Sequence, residues 1–373
     1  MKKVLILAND FITIYAFRRE LLKELLSLGY KVVLALPYSN EISYFADMGC
    51  EIIDTPLERR RTNPVNDLKL LLQYIKIIKS VKPNVVLTYT IKPNIYGGIA
   101  ARICGARTVH TVTGLGSVYI QNMWQKRVAV FLNKLAFKNA DIILFLNHDN
   151  KSFYERIGVT NSSHYTQIVP GSGVNLEQFQ YKELVLNGNI TFTFVGRVLK
   201  DKGIEEFLSA AKIIKKKYPN THFLIVGFVE EKRYIQLLKD YESEEIIQYL
   251  GKRNDIPKIM EESTCIVLPS YGEGRGTVLQ EAAATGRPLI TCNTYGCKDN
   301  VEEGKNGFLC KVADIDSLVS SLEKFINLSY EDKLSMGNYS RKKAENEFDR
   351  QVVVKDYLEK IDRITSKDKG VIQ

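Results

Sequence analysis

Short apolar runs alternate with amphipathic, helix-period stretches along this chain, and the whole alternation is played twice. In the first half, Val4–Leu7, Val32–Leu36, Val85–Leu87, Thr108–Val112 and Ile142–Leu146 read as strands. Between them, Phe17–Leu28 and Asp67–Ser80 carry apolar residues at helical spacing. A run that is apolar on both faces must be covered on both faces, and strands separated by helices pair in parallel. The turn-rich Val169-Pro170-Gly171-Ser172-Gly173 interrupts the pattern. It resumes with Phe192–Val195, Phe223–Val226, Cys265–Leu268 and Leu289–Thr291. The expected fold class is therefore α/β, with one Rossmann-like doubly wound domain over 1–167 and a second over 168–349. A length of 373 residues suffices for two ordinary cores. Open parallel sheets bind ligands beyond the carboxyl ends of their strands, so two such domains facing a central cleft are the natural arrangement for a ligand site.

Hydrophobic content of 45% and charged content of 25% are those of a globular protein, and no apolar run approaches the roughly 20 residues of a membrane span. The opening Met1-Lys2-Lys3-Val4-Leu5-Ile6-Leu7-Ala8 reads as a buried first strand rather than a signal peptide, because Asn9-Asp10 ends it without a cleavage site. The six cysteines show no paired CxxC spacing, which points to reduced thiols and a cytoplasmic protein. Charge is uneven: residues 1–165 hold 22 Lys and Arg against 12 Asp and Glu, whereas the remainder is almost neutral. A basic half implies an anionic partner, whether nucleic acid, anionic lipid or a phosphorylated substrate. Aromatic residues do not interleave with the basic runs as a base-stacking platform would, which argues against nucleic acid.

The second half holds the stretch richest in chemistry, Ser270-Tyr271-Gly272-Glu273-Gly274-Arg275-Gly276-Thr277-Val278-Leu279-Gln280-Glu281-Ala282. A strand, a glycine-rich loop and an Ala-rich helix follow one another, with seven residues between Glu273 and Glu281. Such a loop aims backbone N–H groups and a helix N-terminus at one spot, which suits phosphate. The carboxylates can accept hydrogen bonds from sugar hydroxyls. A second strand end, Phe194-Val195-Gly196-Arg197, is followed by Lys202-Gly203, two cations bracketing a tight loop and suited to a diphosphate. Phosphate and hydroxyls together suggest a nucleotide-sugar.

These two segments resemble the donor site of the GT-B retaining glycosyltransferases of family 4. Gly296-Cys297, Glu302-Glu303-Gly304-Lys305-Asn306-Gly307-Phe308-Leu309 and the linker Val169 to Asn175 resemble further segments of that family. The resemblance implies a metal-independent, cofactor-free hexosyltransferase with a GT-B fold, and a C-terminal helix, about 350–365, that packs back on the first domain. It implies that Arg197 and Lys202 hold the donor diphosphate, beside the strand end at Gly196. Backbone amides of Gly276, Thr277 and Val278 would contact the distal phosphate, Glu281 the ribose, and Glu273 the transferred sugar. Arg253, in Gly251-Lys252-Arg253-Asn254-Asp255-Ile256, would lie by the base. The catalytic set is then Glu273, Arg197 and Lys202. A loop carboxylate and a helix carboxylate with separate tasks do not form the close pair of a retaining glycosidase. Front-face attack, with the donor phosphate taking the acceptor's proton, is the mechanism this implies.

The first half departs from the commoner family pattern, because Thr113 stands where many members carry a His. His110, inside the strand, reads as a core residue. The Thr113-Gly114-Leu115-Gly116 loop, the segment Leu87 to Gly97 and Arg59-Arg60-Arg61-Thr62-Asn63-Pro64 resemble a bacterial subgroup that extends polyprenyl-diphosphate-linked oligosaccharides for capsules and O-antigens. The acceptor candidates are accordingly Arg18, Arg59, Arg60, Arg61, Lys92, Asn94, Thr113 and Gly114. The implied partners are a UDP-sugar, with N-acetylgalactosamine or galactose as the sugar, an undecaprenyl-diphosphate saccharide, and the anionic inner face of the cell membrane. Trp124 with Lys126 and Arg127 fits either an interfacial anchor or a core helix with a polar end. Asp314-Ile315-Asp316 reads as a helix N-cap rather than a metal site. Transfer to a soluble acceptor is the alternative. A non-catalytic nucleotide-binding or nucleic-acid-binding protein is a more distant one.

Overall fold

The computed structural model describes residues 1–57, 63–114, 123–185 and 188–366. The chain divides into two compact units: Met1–Ser172 with Gln351–Gln373, and Gly173–Arg350.

In the first unit the strands are β1 (Lys3–Leu7), β2 (Lys31–Leu36), β3 (Glu51–Asp54), β4 (Val85–Tyr89), β5 (Thr108–Val112), β6 (Ile142–Phe145) and β7 (Thr166–Ile168). They form one parallel sheet in the order β3-β2-β1-β4-β5-β6-β7. The order reverses between β1 and β4. Helices α1 (Phe11–Phe17), α2 (Arg19–Ser27), α3 (Ser43–Asp47), α4 (Pro64–Val81), α5 (Gly98–Cys104), α6 (Met123–Phe137) and α7 (His148–Arg156) connect the strands. Alternate strand residues serve opposite layers. Val4 and Ile6 pack with α1 to α3, while Leu5 and Leu7 pack with α4 and α5. Asp10 caps α1 by accepting from the Thr13 amide at 2.7 Å, and Asn63 caps α4, whose first residue is Pro64.

In the second unit β8 (Ile190–Val195), β9 (Thr221–Val226), β10 (Gln248–Tyr249), β11 (Cys265–Leu268), β12 (Leu289–Cys292) and β13 (Gly307–Cys310) give the order β10-β9-β8-β11-β12-β13. This sheet is parallel as well, and its reversal lies between β8 and β11. Its helices are α8 (Ile204–Lys217), α9 (Tyr234–Ser243), α10 (Ile256–Glu262), α11 (Thr277–Ala284), α12 (Ile315–Ile326) and α13 (Tyr330–Lys343). Asp314 caps α12, its carboxylate accepting from the Ser317 amide at 2.8 Å.

The last helix, α14 (Arg350–Ser366), belongs to the first unit from Gln351 onward. Val353, Val354, Tyr357, Ile361 and Ile364 are buried in the core that contains β1, β2 and β4. Each such burial contributes at most about 1.5–3 kcal/mol.

Three points add to what the sequence alone indicates. The helix expected over Phe17–Leu28 is α2, Arg19–Ser27; Phe17 instead ends α1, and the two helices part at Arg18, where φ is −135° and ψ 0°. The short strands β3, β7, β10 and β13 were not read as strands from the sequence. Trp124, for which an interfacial anchor and the polar end of a core helix both stand open, is 74% exposed on α6, whose Ala129, Ala136 and Phe137 are buried.

Candidate functional site

The second unit's switch point lies between β8 and β11, and the loops leaving those strands meet there. After β8 the chain passes Gly196 and Arg197, makes a short 3-10 turn over Lys200–Lys202, and enters α8 through Gly203. After β11 it passes Pro269 and Glu273, and enters α11 through Gly276. The Tyr271 amide donates to the Asp201 carbonyl at 2.9 Å, and the Ser270 hydroxyl to the same carbonyl at 3.1 Å. Gly203 sits at φ +74°, and a Cβ there would stand 2.0 Å from the Pro269 carbonyl oxygen. The two loops are thus stitched backbone to backbone. Lys202 Nζ consequently donates to Glu273 Oε1, although 71 residues separate them.

Helices α8 and α11 both start from a left-handed glycine, and neither has a side-chain cap. Among the other helices α1, α4, α7, α12 and α13 have one, whereas α2, α3, α5, α9 and α10 do not. The first N–H groups of a helix have no intrahelical acceptor, so Thr277 and Val278 present donors, reinforced by the helix dipole, at the end of the loop that carries Glu273. An anion would complete what the sequence leaves uncapped.

Glu281 lies one turn further along α11. Loss of water around its carboxyl pushes it up to about 7, and the Arg350 charge acts the other way. The two carboxylates therefore have different partners: Lys202 faces Glu273 and Arg350 faces Glu281. Arg197 is half-exposed and pairs with Glu230. Arg253 is exposed and bidentate on Asp255, at 2.8 and 2.6 Å, which holds that carboxyl down at about 2.

A third loop, after β12, supports the second, and it holds residues that sequence reasoning missed. Asn300 is fully buried. Its amide nitrogen lies 2.9, 2.8 and 3.2 Å from the carbonyls of Arg275, Gly296 and Cys297. The Tyr295 ring lies against Gly272, and the Tyr295 carbonyl accepts from the Glu273 amide at 3.1 Å. The only sequence signal was position: Asn300 falls between the Gly296-Cys297 and Glu302-Glu303 segments.

The first unit treats its candidates differently. Arg18 is buried, its guanidinium 4.6 Å from the Tyr89 ring centre and 5.1 Å from that of Tyr357, with Nη1 donating to the Phe17 carbonyl at 3.0 Å. Lys92 pairs with Asp67 at 2.7 Å, both largely enclosed. Asn94 is buried, donating to the Thr111 carbonyl at 2.9 Å and accepting from Thr88 at 2.6 Å. His110 is also buried, with Nδ1 2.7 Å from Thr88 Oγ1, and burial pushes it down to about 3. Thr113 and Gly114 follow β5 and are partly exposed, and a Cβ on Gly114 would meet nothing within 4 Å. Arg59, Arg60 and Arg61 lie outside the described residues. Among those described, no helix is long and apolar enough to cross a membrane, and no three His, Cys, Asp or Glu residues group as metal ligands would.

Comparison with known proteins places these units in a family. Residues 177–343 match the model of the glycosyl transferases group 1, and residues 3–147 match the glycosyl transferase 4-like model. The chain is 26% identical to the N,N'-diacetylbacillosaminyl-diphospho-undecaprenol alpha-1,3-N-acetylgalactosaminyltransferase of Campylobacter jejuni, over 94% of this chain and 96% of that protein. It is 30% identical to the UDP-Gal:alpha-D-GlcNAc-diphosphoundecaprenol alpha-1,3-galactosyltransferase of Escherichia coli, over 79% of each. In fold it resembles the crystal structure of Anabaena HepE in complex with UDP and glucose. That match has a TM-score of 0.79 at 18% identity, over 97% of this chain and 100% of that one.

Proposed function

We propose a specific reaction for this chain, which belongs to the group 1 glycosyltransferases with the GT-B fold. It transfers galactose or N-acetylgalactosamine from a UDP-sugar to an undecaprenyl-diphosphate-linked saccharide, with retention at the anomeric carbon. The observation that carries this reading is the Lys202–Glu273 contact, made across two stitched loops beside two uncapped helix N-termini. The named relatives act on lipid-diphosphate acceptors and form alpha linkages, which supports the acceptor class and the stereochemistry.

The chemistry follows from what each group can do. The sugar–phosphate bond breaks with negative charge accumulating on the diphosphate. The amides at the start of α11 meet that charge without reorganising, which is where such sites gain most of their rate, and Lys202 and Arg197 meet it once they turn from Glu273 and Glu230 to the phosphate. Arg197 first exchanges its Glu230 partner for phosphate. Glu281 accepts from the ribose hydroxyls, and Glu273 accepts from hydroxyls of the transferred sugar and faces the positive charge growing on its ring. No side chain forms a covalent bond to the sugar. The acceptor hydroxyl attacks from the face the phosphate leaves, and its proton goes to the departing phosphate oxygen. Two protein cations can oppose the leaving group, so we infer that no divalent metal is needed. Association with the inner face of the membrane follows from the acceptor, whose lipid anchors it there.

The test is direct. The purified protein is incubated with UDP-galactose or UDP-N-acetylgalactosamine and a short-chain polyprenyl-diphosphate saccharide, with and without EDTA. NMR of the product reads the anomeric configuration. The expected result is an alpha-linked product at an EDTA-insensitive rate. A beta-linked product would end the retaining assignment, and failure with every UDP-sugar would end the reading as a whole.

A further inference from the structure

The loops around Glu273 commit most of their hydroxyls to one another. Ser270 Oγ donates to the Asp201 carbonyl at 3.1 Å, and Tyr271 OH to Glu206 Oε1 at 2.7 Å. Thr291 Oγ1 donates to the Leu268 carbonyl at 2.6 Å, and Thr294 Oγ1 to the Tyr271 carbonyl at 3.2 Å. Tyr295 differs. Its side chain is partly buried, and among the described residues nothing hydrogen-bonds its hydroxyl. Its place is nevertheless fixed from both sides. The Tyr295 carbonyl accepts from the Glu273 amide at 3.1 Å. Next to it, Gly296 sits at φ +70°, where a Cβ would stand 2.1 Å from the Glu273 carbonyl oxygen, and its amide donates to Asp299 Oδ2 at 3.1 Å. On the other side, the phenol fills the space that a side chain on Gly272 would need. A Cβ there would stand 2.2 Å from Tyr295 Cζ and 2.4 Å from the hydroxyl oxygen. Gly272 directly precedes Glu273. Burial, followed by Cys297 and the Glu273 and Asp201 charges, pushes the phenol above its ordinary range. At neutral pH it keeps its proton and can donate it to a hydrogen bond.

We propose that the Tyr295 hydroxyl donates a hydrogen bond to an oxygen of the transferred sugar and so helps select the donor; this deepens the donor reading above and rests on it. Glu273, as a carboxylate, can only accept. It binds a sugar hydroxyl through that hydroxyl's proton and offers nothing to a neighbouring lone pair. A phenol beside it supplies the missing donor, so the two groups read substituents of the sugar with opposite polarity. A hydroxyl oxygen or an acetamido carbonyl answers a phenol, and a ring carbon stripped of its oxygen does not. The diphosphate is a poorer partner. The phenol packs on Gly272, beside Glu273, rather than on Gly276, where α11 begins. The charged groups that act on it, Glu273 and Asp201, are acidic, so a further anion gains little there. A nucleotide without its sugar therefore leaves Tyr295 unused.

Tyr295→Phe removes the hydroxyl and keeps the ring on Gly272. Transfer to the short-chain acceptor is measured with the UDP-sugar that wild type uses best, and UDP affinity by calorimetry, with thermal midpoints to verify folding. The expected result is a fall of about tenfold in kcat/KM for the UDP-sugar, with UDP affinity within about twofold of wild type and the midpoint unchanged. Gly272→Ala displaces the phenol without forcing a left-handed backbone, and should lower kcat/KM by a similar factor. In a Tyr295→Ala background the same change meets no phenol and should cost nothing further. A folded Tyr295→Phe protein with wild-type kcat/KM would overturn the proposal. So would an equal loss of UDP affinity, which would put the phenol on the nucleotide, or a Gly272→Ala loss that persists in the Tyr295→Ala background. The two levels stay separate: wild type that transfers from no UDP-sugar ends the donor reading itself, whereas equal transfer by wild type and Tyr295→Phe ends only the assignment of Tyr295.

Discussion

The two α/β units share a strand order and use their polar groups in opposite ways. In the second unit polar chemistry gathers at the switch point, where Lys202, Glu273 and the starts of α8 and α11 converge on loops stitched by main-chain hydrogen bonds. In the first unit several polar groups of the corresponding region are buried instead. Arg18 is stacked between Tyr89 and Tyr357, and Thr88, Asn94 and His110 bond one another inside the core. Among the described residues, exposed cations such as Lys69, Lys76, Arg127 and Lys134 sit on the outer helices. One topology therefore offers the same place for a ligand twice, and only the side chains decide where the charge goes.

Removing a cation from the second unit's site gives the largest expected effect. Lys202→Ala should lower kcat by roughly 10²–10³-fold, the loss seen when one preorganised donor to a developing negative charge is deleted. A Lys202→Ala protein that turns over normally would show that the Glu273 contact is a structural ion pair and would break the comparison at its strongest point.

Next comes the stitching itself. Gly203→Ala forces a side chain into a left-handed conformation and against the Pro269 carbonyl, 2.0 Å from where Cβ must stand. The expected cost is upward of about 2 kcal/mol, read as a lower denaturation midpoint together with weaker UDP binding. A normal UDP affinity would mean that the two loops hold their relation without this contact.

The third effect links stability to pH. The Glu281 carboxyl is raised in the folded protein from 4.5 to about 7, because burial disfavours its charge. Between those values the folded state keeps a proton that the unfolded chain releases. Stability is therefore fully present below pH 4.5 and falls as pH rises toward about 7, by on the order of 3 kcal/mol. Glu281→Gln should remove that slope and raise the melting temperature at neutral pH, yet weaken UDP binding by losing a ribose acceptor. Denaturation series at several pH values test the first part, and calorimetric titration with UDP tests the second. A variant with the wild-type slope would show that another group carries the pH dependence.

Much of the fold was legible in the sequence, because buried parallel strands are apolar throughout and stand out from amphipathic helices. The strands that escaped were mainly short or at sheet edges. Glu51–Asp54, Thr166–Ile168 and Gln248–Tyr249 are polar or half-exposed, and only their main-chain pairing makes them strands. The break at Arg18 had no local signal; at that residue the side chain stacks on Tyr89 and on Tyr357 from the far end of the chain. In the site, the glycines and charged residues of the two loops could be read from their order after strands. The Lys202–Glu273 contact spans 71 residues, and Asn300 works through three carbonyls that no side-chain pattern records. Trp124 shows the limit of periodicity, since a stripe of apolar residues looks the same whether a core or open solvent lies beyond it.

The smallest expected effect tests the first unit's side of the comparison. Thr88 Oγ1 lies 2.6 Å from Asn94 Oδ1 and 2.7 Å from His110 Nδ1. A hydroxyl has one proton, and Asn94 Oδ1 can only accept, so Thr88 donates to Asn94 and must accept from His110 Nδ1–H. This fixes the neutral tautomer of a histidine whose burial already pushes it down to about 3. Thr88→Val keeps the shape but leaves the Asn94 oxygen and the His110 N–H unpaired, at a cost of about 1–3 kcal/mol. Thr88→Ser should recover most of it. Neither change should alter the KM for the UDP-sugar or the acceptor, because this web holds β4 to β5 and the helix after β4. If Thr88→Val instead changed the acceptor KM several-fold at unchanged stability, Asn94 would be a binding residue, and the two units would be alike in building ligand sites at their switch points.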